Sequence, residues 1–166
     1  AYEALLKKIP DLDEVILMPL YPHYAMSSYE TAVEFMKEVH KKNKYSFVLT
    51  TIKPYYNNED YINALAETIR PYLSQSHEKI LFSYHGVPER HIFKGDVTGS
   101  HCLKTTSCCE VDSAAHPYCY RHQCIKTTAI VTERLQIPKE KFELSFQSRL
   151  GRDNWLTPYT AQRLSE

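Results

Sequence analysis

Lys79-Ile80-Leu81-Phe82-Ser83-Tyr84-His85-Gly86-Val87-Pro88 opens as a short apolar run and closes in a turn. A run this short, bounded by turn formers, reads as a buried strand. Gly86 and Pro88 shape the turn, and the strand over 79–83 delivers His85 to its carboxyl end. Near neutral pH an imidazole accepts a proton or ligates a divalent metal. It also serves simply as a hydrogen-bonded turn residue, and position alone leaves both readings open.

Working upstream, Val15-Ile16-Leu17-Met18-Pro19-Leu20 is a short continuous apolar run, the mark of a strand buried on both faces, and 46–52 reads as another strand. Between them Tyr29, Ala32, Val33, Met36, Val39 and His40 recur at helical spacing behind Ser27 and Ser28, the candidate N-caps. Tyr61, Ile62, Leu65, Ile69, Tyr72 and Leu73 do the same behind Asn57 and Asn58. Downstream, Cys124, Ile125, Thr128, Val131, Thr132 and Leu135 form a stripe that stops before Pro138, and Phe142, Leu144 and Phe146 alternate as in a strand. Strands alternating with helices imply βαβ units, hence an α/β fold with a Rossmann-like, mostly parallel sheet and right-handed crossovers. Such sheets bind ligands beyond the carboxyl ends of their strands, which singles out 21–28, 83–94 and 147–155.

Composition narrows the function. Lys plus Arg and Asp plus Glu are 20 each in 166 residues, and no basic stripe interleaved with aromatics points to nucleic acid. No apolar run approaches the roughly 20 residues that span a bilayer. The start, Ala1-Tyr2-Glu3-Ala4, lacks a signal-peptide pattern and an initiator Met, and 161–166 end in a polar helix-like stretch without a cap. Both ends read as cut, so we expect an internal piece of a longer chain. Five cysteines, an odd number, argue for a reducing compartment and a cytoplasmic protein.

The last strand runs into Gln147-Ser148-Arg149-Leu150-Gly151-Arg152 and then Trp155-Leu156-Thr157-Pro158-Tyr159-Thr160. Arginine forks hold carboxylates or phosphates, and a Trp can wall a flat apolar cavity or simply pack. Here the sequence resembles the ferrochelatase family. The segment from Phe82 to Arg90 is similar to the motif around that family's essential histidine. Ser145 to Thr160 is similar to its second signature, and Pro19-Leu20-Tyr21-Pro22-His23-Tyr24 to its proline-tyrosine strand end. The segment 25–31 departs from the family's usual Thr-rich loop, so no porphyrin contact is carried over there.

The resemblance implies the chelatase fold, with 1–76 as the C-terminal part of a first lobe and 77–166 as the N-terminal part of a second. It implies porphyrin and ferrous iron as substrates, with His85 catalytic and an iron ligand, and Ser83, Tyr84, Arg149 and Trp155 as substrate-binding residues. The family's acidic partner of the histidine would lie beyond Glu166, so the piece alone is expected to turn over little. Peripheral membrane association and the oligomeric state stay open.

Gly95-Asp96 and Tyr120-Arg121-His122-Gln123-Cys124 match two ends that are joined directly in family members without an insertion, so the resemblance implies an insertion over 97–119, with Cys102, Cys108, Cys109 and Cys119. Four thiolates in a short polar loop suit a [2Fe–2S] cluster, and the arrangement resembles bacterial ferrochelatases that carry one in an internal loop. Zinc is the rival, because His101, His116 and His122 lie close by, although C-x5-C-C-x9-C is not a zinc-finger spacing. Unligated thiols are the third reading. Cys124 belongs to the helical stripe and reads as packing. Against the enzyme stands a non-catalytic porphyrin-binding or iron–sulfur sensing module on the same fold.

Overall fold

The computed structural model describes residues 4, 6, 8, 9 and 12–165. Glu166, the last residue of the expected helical ending, lies outside them. Strand β1 (Glu14–Leu17) pairs in parallel with β2 (Val48–Thr51), and β3 (Ile80–His85) pairs in parallel with β4 (Phe142–Gln147). Helix α1 (Thr31–Asn43) connects the first pair and α4 (Tyr120–Arg134) lies within the connection of the second. Helix α2 (Glu59–Ile69) joins the pairs, α3 (Glu89–Gly95) follows β3, and α5 (Thr160–Arg163) follows β4. The α/β reading with parallel strands therefore holds, as two separate two-stranded sheets.

Local sequence accounts for most of these elements. Asn58 caps α2 as its position implies, its Oδ1 accepting the Tyr61 N–H at 3.1 Å, an arrangement that contributes about 1 kcal/mol. Ser27 and Ser28 do not cap α1. They sit in a wide turn, Met26–Glu30, that runs directly into the helix with no side-chain cap. The expectation that β1 is covered on both faces also fails: Ile16 is 62% exposed, and among the described residues α1 packs mainly on β2.

Helix α4 is the hub. Cys124 packs with Val87, Ile92, Phe146 and Leu156, while Val131 and Leu135, two to three turns on, pack with Ile62 and Ala66 of α2. Because it is gripped from both sides, α4 also buries Gln123 and Thr127 completely. Buried polar groups are tolerated only when hydrogen-bonded, and both of these reach into the first half of the chain.

Candidate active site

His85 is the last residue of β3, in register with Gln147 of β4, so the two signature segments leave the sheet from adjacent strand ends. Gly86 then passes close under the second segment. Its N–H donates to Gln147 O at 2.8 Å, and a Cβ here would lie 2.9 Å from that same oxygen and 3.3 Å from the Trp155 ring. Any larger residue would push the strands apart, so glycine is required by space.

The second segment folds back onto the first. Leu156 N–H donates to Val87 O at 3.1 Å and Glu89 N–H to Asn154 O at 2.8 Å, while Pro88 and Trp155 form an antiparallel bridge. Leu156 and Phe146 are almost fully buried beneath this crossing, each contributing about 1.5–3 kcal/mol to holding it. Trp155 is fixed by its indole N–H to Leu150 O at 2.9 Å.

These elements enclose a cavity of about 590 Å³, within the roughly 300–1,000 Å³ range of small-molecule pockets. His85, Val87, Pro88, His91 and Trp155 form one wall. Tyr21, Pro22, His23, Ala25, Ser27 and Ser28, from the loop after β1, form the other, and Tyr120 lines the cavity as well. All three segments singled out by the strand-end rule contribute to its lining, 147–155 through Trp155.

Of the residues singled out from the sequence, His85 and Trp155 line this cavity. Ser83 instead meets Thr160 Oγ1 at 2.9 Å, a hydroxyl that also meets Ser145 Oγ at 2.8 Å. Tyr84 lies behind the wall, its hydroxyl on Thr128 Oγ1 at 2.9 Å and its ring edge-on to His23 at 5.4 Å. Arg149 is exposed, with its guanidinium 5.2 Å from the Tyr159 ring centre.

Sequence reasoning passed over His23, His91 and Tyr120. His91 has a buried Nδ1 without a hydrogen-bond partner, and burial lowers its pKa. His23 is 8% exposed, and its Nε2 lies 2.9 Å from Thr127 Oγ1. That hydroxyl donates its single proton to Tyr56 O at 2.7 Å, so His23 carries its proton on Nε2 and keeps a lone pair on Nδ1. Beside it, Tyr24 N–H donates to Gln123 Oε1 at 2.6 Å. Buried Gln123 and Thr127 thereby fasten the β1 loop to α4. A stripe of apolar positions cannot reveal such contacts.

Burial among the rings of Tyr56, Tyr84 and Tyr120 pushes the His23 pKa down from 6.5 to about 4. The fold favours the neutral ring, whereas the unfolded chain takes up a proton near 6.5. The contribution is complete above that pH and is lost as pH falls toward 4, about 3 kcal/mol in all. Urea unfolding of the full-length protein between pH 7 and 4 checks this. His23→Gln, which keeps a donor toward Thr127, should flatten that acid slope. An unchanged slope would remove His23 as its source.

The sequence matches the ferrochelatase family model over residues 1–166. The chain belongs to the ferrochelatase family. It is 44% identical over 153 residues to the ferrochelatase of Pseudomonas fluorescens (strain Pf0-1), covering 92% of this chain and 45% of that protein. The ferrochelatase of Opitutus terrae is 41% identical over 153 residues, with 92% and 44% covered. That of Ectopseudomonas mendocina is 40% identical over 167 residues, with 99% and 49% covered. The chain spans about half the length of the curated relatives it matches.

In this ferrochelatase-family chain residues 97–119 form a compact loop organised by Asp96. One carboxylate oxygen accepts the Thr98 N–H and hydroxyl; the other accepts the His101 and Cys102 N–H groups, each at 2.8 Å. The Thr98 hydroxyl and these N–H groups hold the Asp96 carboxyl well below the usual carboxylate range. All four loop cysteines are buried. Cys108 and Cys109 sulfurs are 4.0 Å apart, and Cys119 contacts both Cys102 and Cys109.

Donors converge on this sulfur group. Arg121 Nη1 reaches Cys108 and Cys109 at 3.5 and 3.3 Å, and the N–H groups of Leu103 and His122 reach Cys108 and Cys119 at 3.4 Å. Burial raises the Cys102 pKa, and Cys119 together with burial pushes Cys109 up to about 12. His101 and His116 direct Nε2 at Cys108 O, and His122 directs Nδ1 at Cys109 O. Among the described residues no group of three or more His, Cys, Asp or Glu side chains is spaced to hold a metal ion. Four buried sulfurs under cationic and N–H donors match the ligand chemistry of an iron–sulfur group but not the spacing of a formed metal site.

Proposed function

We propose that the full-length protein is an enzyme that inserts ferrous iron into protoporphyrin IX to form protohaem, with His85 as its catalytic residue. The observation that carries this reading is the placement of His85 at a strand end on the rim of a cavity whose far wall is the β1 loop. Membership of the ferrochelatase family supports the reaction class.

The chemistry is an exchange without redox change: Fe²⁺ enters the macrocycle and two pyrrole N–H protons leave. His85 accepts a pyrrole proton or hands over the incoming iron. Trp155 gives the macrocycle a flat apolar wall. Arg149, exposed at the end of β4, offers its guanidinium to substrate carboxylates. Tyr84 acts through His23, against which it packs, and Ser83 through the Thr160 contact that fixes β3 to the second signature. Residues 1–76 and 77–166 then belong to two lobes whose facing loops make the cleft.

Cys102, Cys108, Cys109 and Cys119 would hold a [2Fe–2S] cluster, which supplies a structural or regulatory staple and takes no part in chelation. Thiolate-only ligation is supported over a mixed Cys–His zinc site by the three nearby histidines, each hydrogen-bonded to a backbone carbonyl of the loop. No helix among the described residues is long and apolar enough to cross a membrane. The cytoplasm is the compartment that suits the free thiols, and peripheral membrane contact remains compatible with it.

The direct test is anaerobic incubation of the full-length protein with ferrous iron and protoporphyrin. Loss of porphyrin fluorescence with appearance of the haem spectrum is expected. Porphyrin binding without haem formation would favour the non-catalytic module.

A further inference from the structure

We propose that Tyr120 is a positioning residue for His85, and that the cysteine loop holds it in place. The second part rests on the proposed iron–sulfur staple. β3 has β4 along one edge, and the His85 carbonyl receives the Tyr120 hydroxyl at 2.8 Å. This bond fixes the backbone that carries the imidazole at the cavity rim. Tyr120 is the first residue of α4, and the residue before it is Cys119.

Cys119 belongs to two systems. Its sulfur caps α4, accepting the His122 N–H, and it also joins the sulfur group of the loop through Cys102 and Cys109. The end of the loop and the start of the helix are therefore one short piece of chain. Whatever draws the four sulfurs together also sets where the first turn of α4 begins. Gly95 closes the other end of the loop, where a Cβ would come 2.9 Å from Tyr118 O, so both ends are pinned beside the helix start.

The remaining turns of α4 grip the same region. Cys124, one turn after Tyr120, contacts its hydroxyl, and Thr128 holds the hydroxyl of Tyr84, the neighbour of His85. Tyr120 also lies edge-on to His23 at 5.8 Å, on the opposite wall. A shift at the first turn is thus passed directly to the backbone of His85. Small displacements of a reacting group are costly in rate even when the fold is intact.

The experiment uses the full-length enzyme as purified and compares it with Tyr120→Phe, which removes one hydroxyl. We expect kcat to fall about tenfold with porphyrin KM within about twofold and visible absorbance unchanged, the signature of lost positioning rather than lost binding. A wild-type kcat in Tyr120→Phe overturns the proposal. Both enzymes are then treated with an iron chelator under reducing conditions. Wild type should drop to the level of Tyr120→Phe, and the treated variant should drop no further. An unchanged kcat in stripped wild type, or losses that multiply, overturns the link to the loop. Protein that arrives without iron and sulfide contradicts the staple, a result separate from the kcat of Tyr120→Phe, which alone decides whether the hydroxyl positions His85.

Discussion

Full-length protein purified without oxygen should be reddish and carry about two irons and two sulfides per chain, and serine at Cys102, Cys108, Cys109 or Cys119 should remove both colour and iron. The expectation follows from the loop rather than from cysteine count. Four sulfurs are buried together, and Arg121 with two backbone N–H groups is directed at them. Positive and N–H donors around sulfur stabilise its anionic, metal-bound form. Cys108 and Cys109 are adjacent in sequence yet keep their sulfurs 4.0 Å apart and unbridged, so they can serve different irons. Cys124 is the internal control. It is fully buried in the apolar cluster under His85, and serine there should cost about 1–3 kcal/mol of stability while the iron and colour remain. Iron analysis and visible spectra of the five serine variants check the assignment. Retained colour in Cys119→Ser with bleaching in Cys124→Ser would reverse it. Zinc in place of iron and sulfide would keep a metal staple and refute the cluster.

Much of this arrangement was legible in the chain. Apolar runs and helical stripes located the four strands and the long helices of the described residues, because burial on a period of two or of 3.6 leaves its mark on residue type. Asn58 announced the start of α2, and the strand-end rule named the loops that form the cavity. What the pattern could not show was carried by polar residues. Gln123 and Thr127 read as ordinary helix positions, yet they are wholly buried because Tyr24 and His23, about 100 positions earlier, supply their partners. Tyr120 read as part of a family match at the end of an insertion, and only its contact with the His85 carbonyl gives it a role. Ser83 lies two residues from His85 on one strand, but sequence spacing does not reveal that Thr160 returns to meet it.

His85→Ala in the full-length protein should lower iron insertion by about 10²–10⁴-fold, the usual worth of a positioned acid–base group. The substitution should leave the fold intact. His85 is exposed at the cavity rim, and the contacts that close the site run through its backbone and that of its neighbours. Gly86 N–H to Gln147 O, Leu156 N–H to Val87 O and the Tyr120 hydroxyl to the His85 carbonyl all survive the loss of the imidazole. Porphyrin affinity should survive as well, since shape and apolar area dominate it. The most direct measurement therefore pairs two readings on the same samples: protoporphyrin affinity by fluorescence quenching and the rate of haem formation with ferrous iron. The account requires a dissociation constant within about threefold of wild type alongside a rate reduced by at least about 100-fold. A His85→Ala enzyme that binds porphyrin and makes haem at the wild-type rate would contradict it.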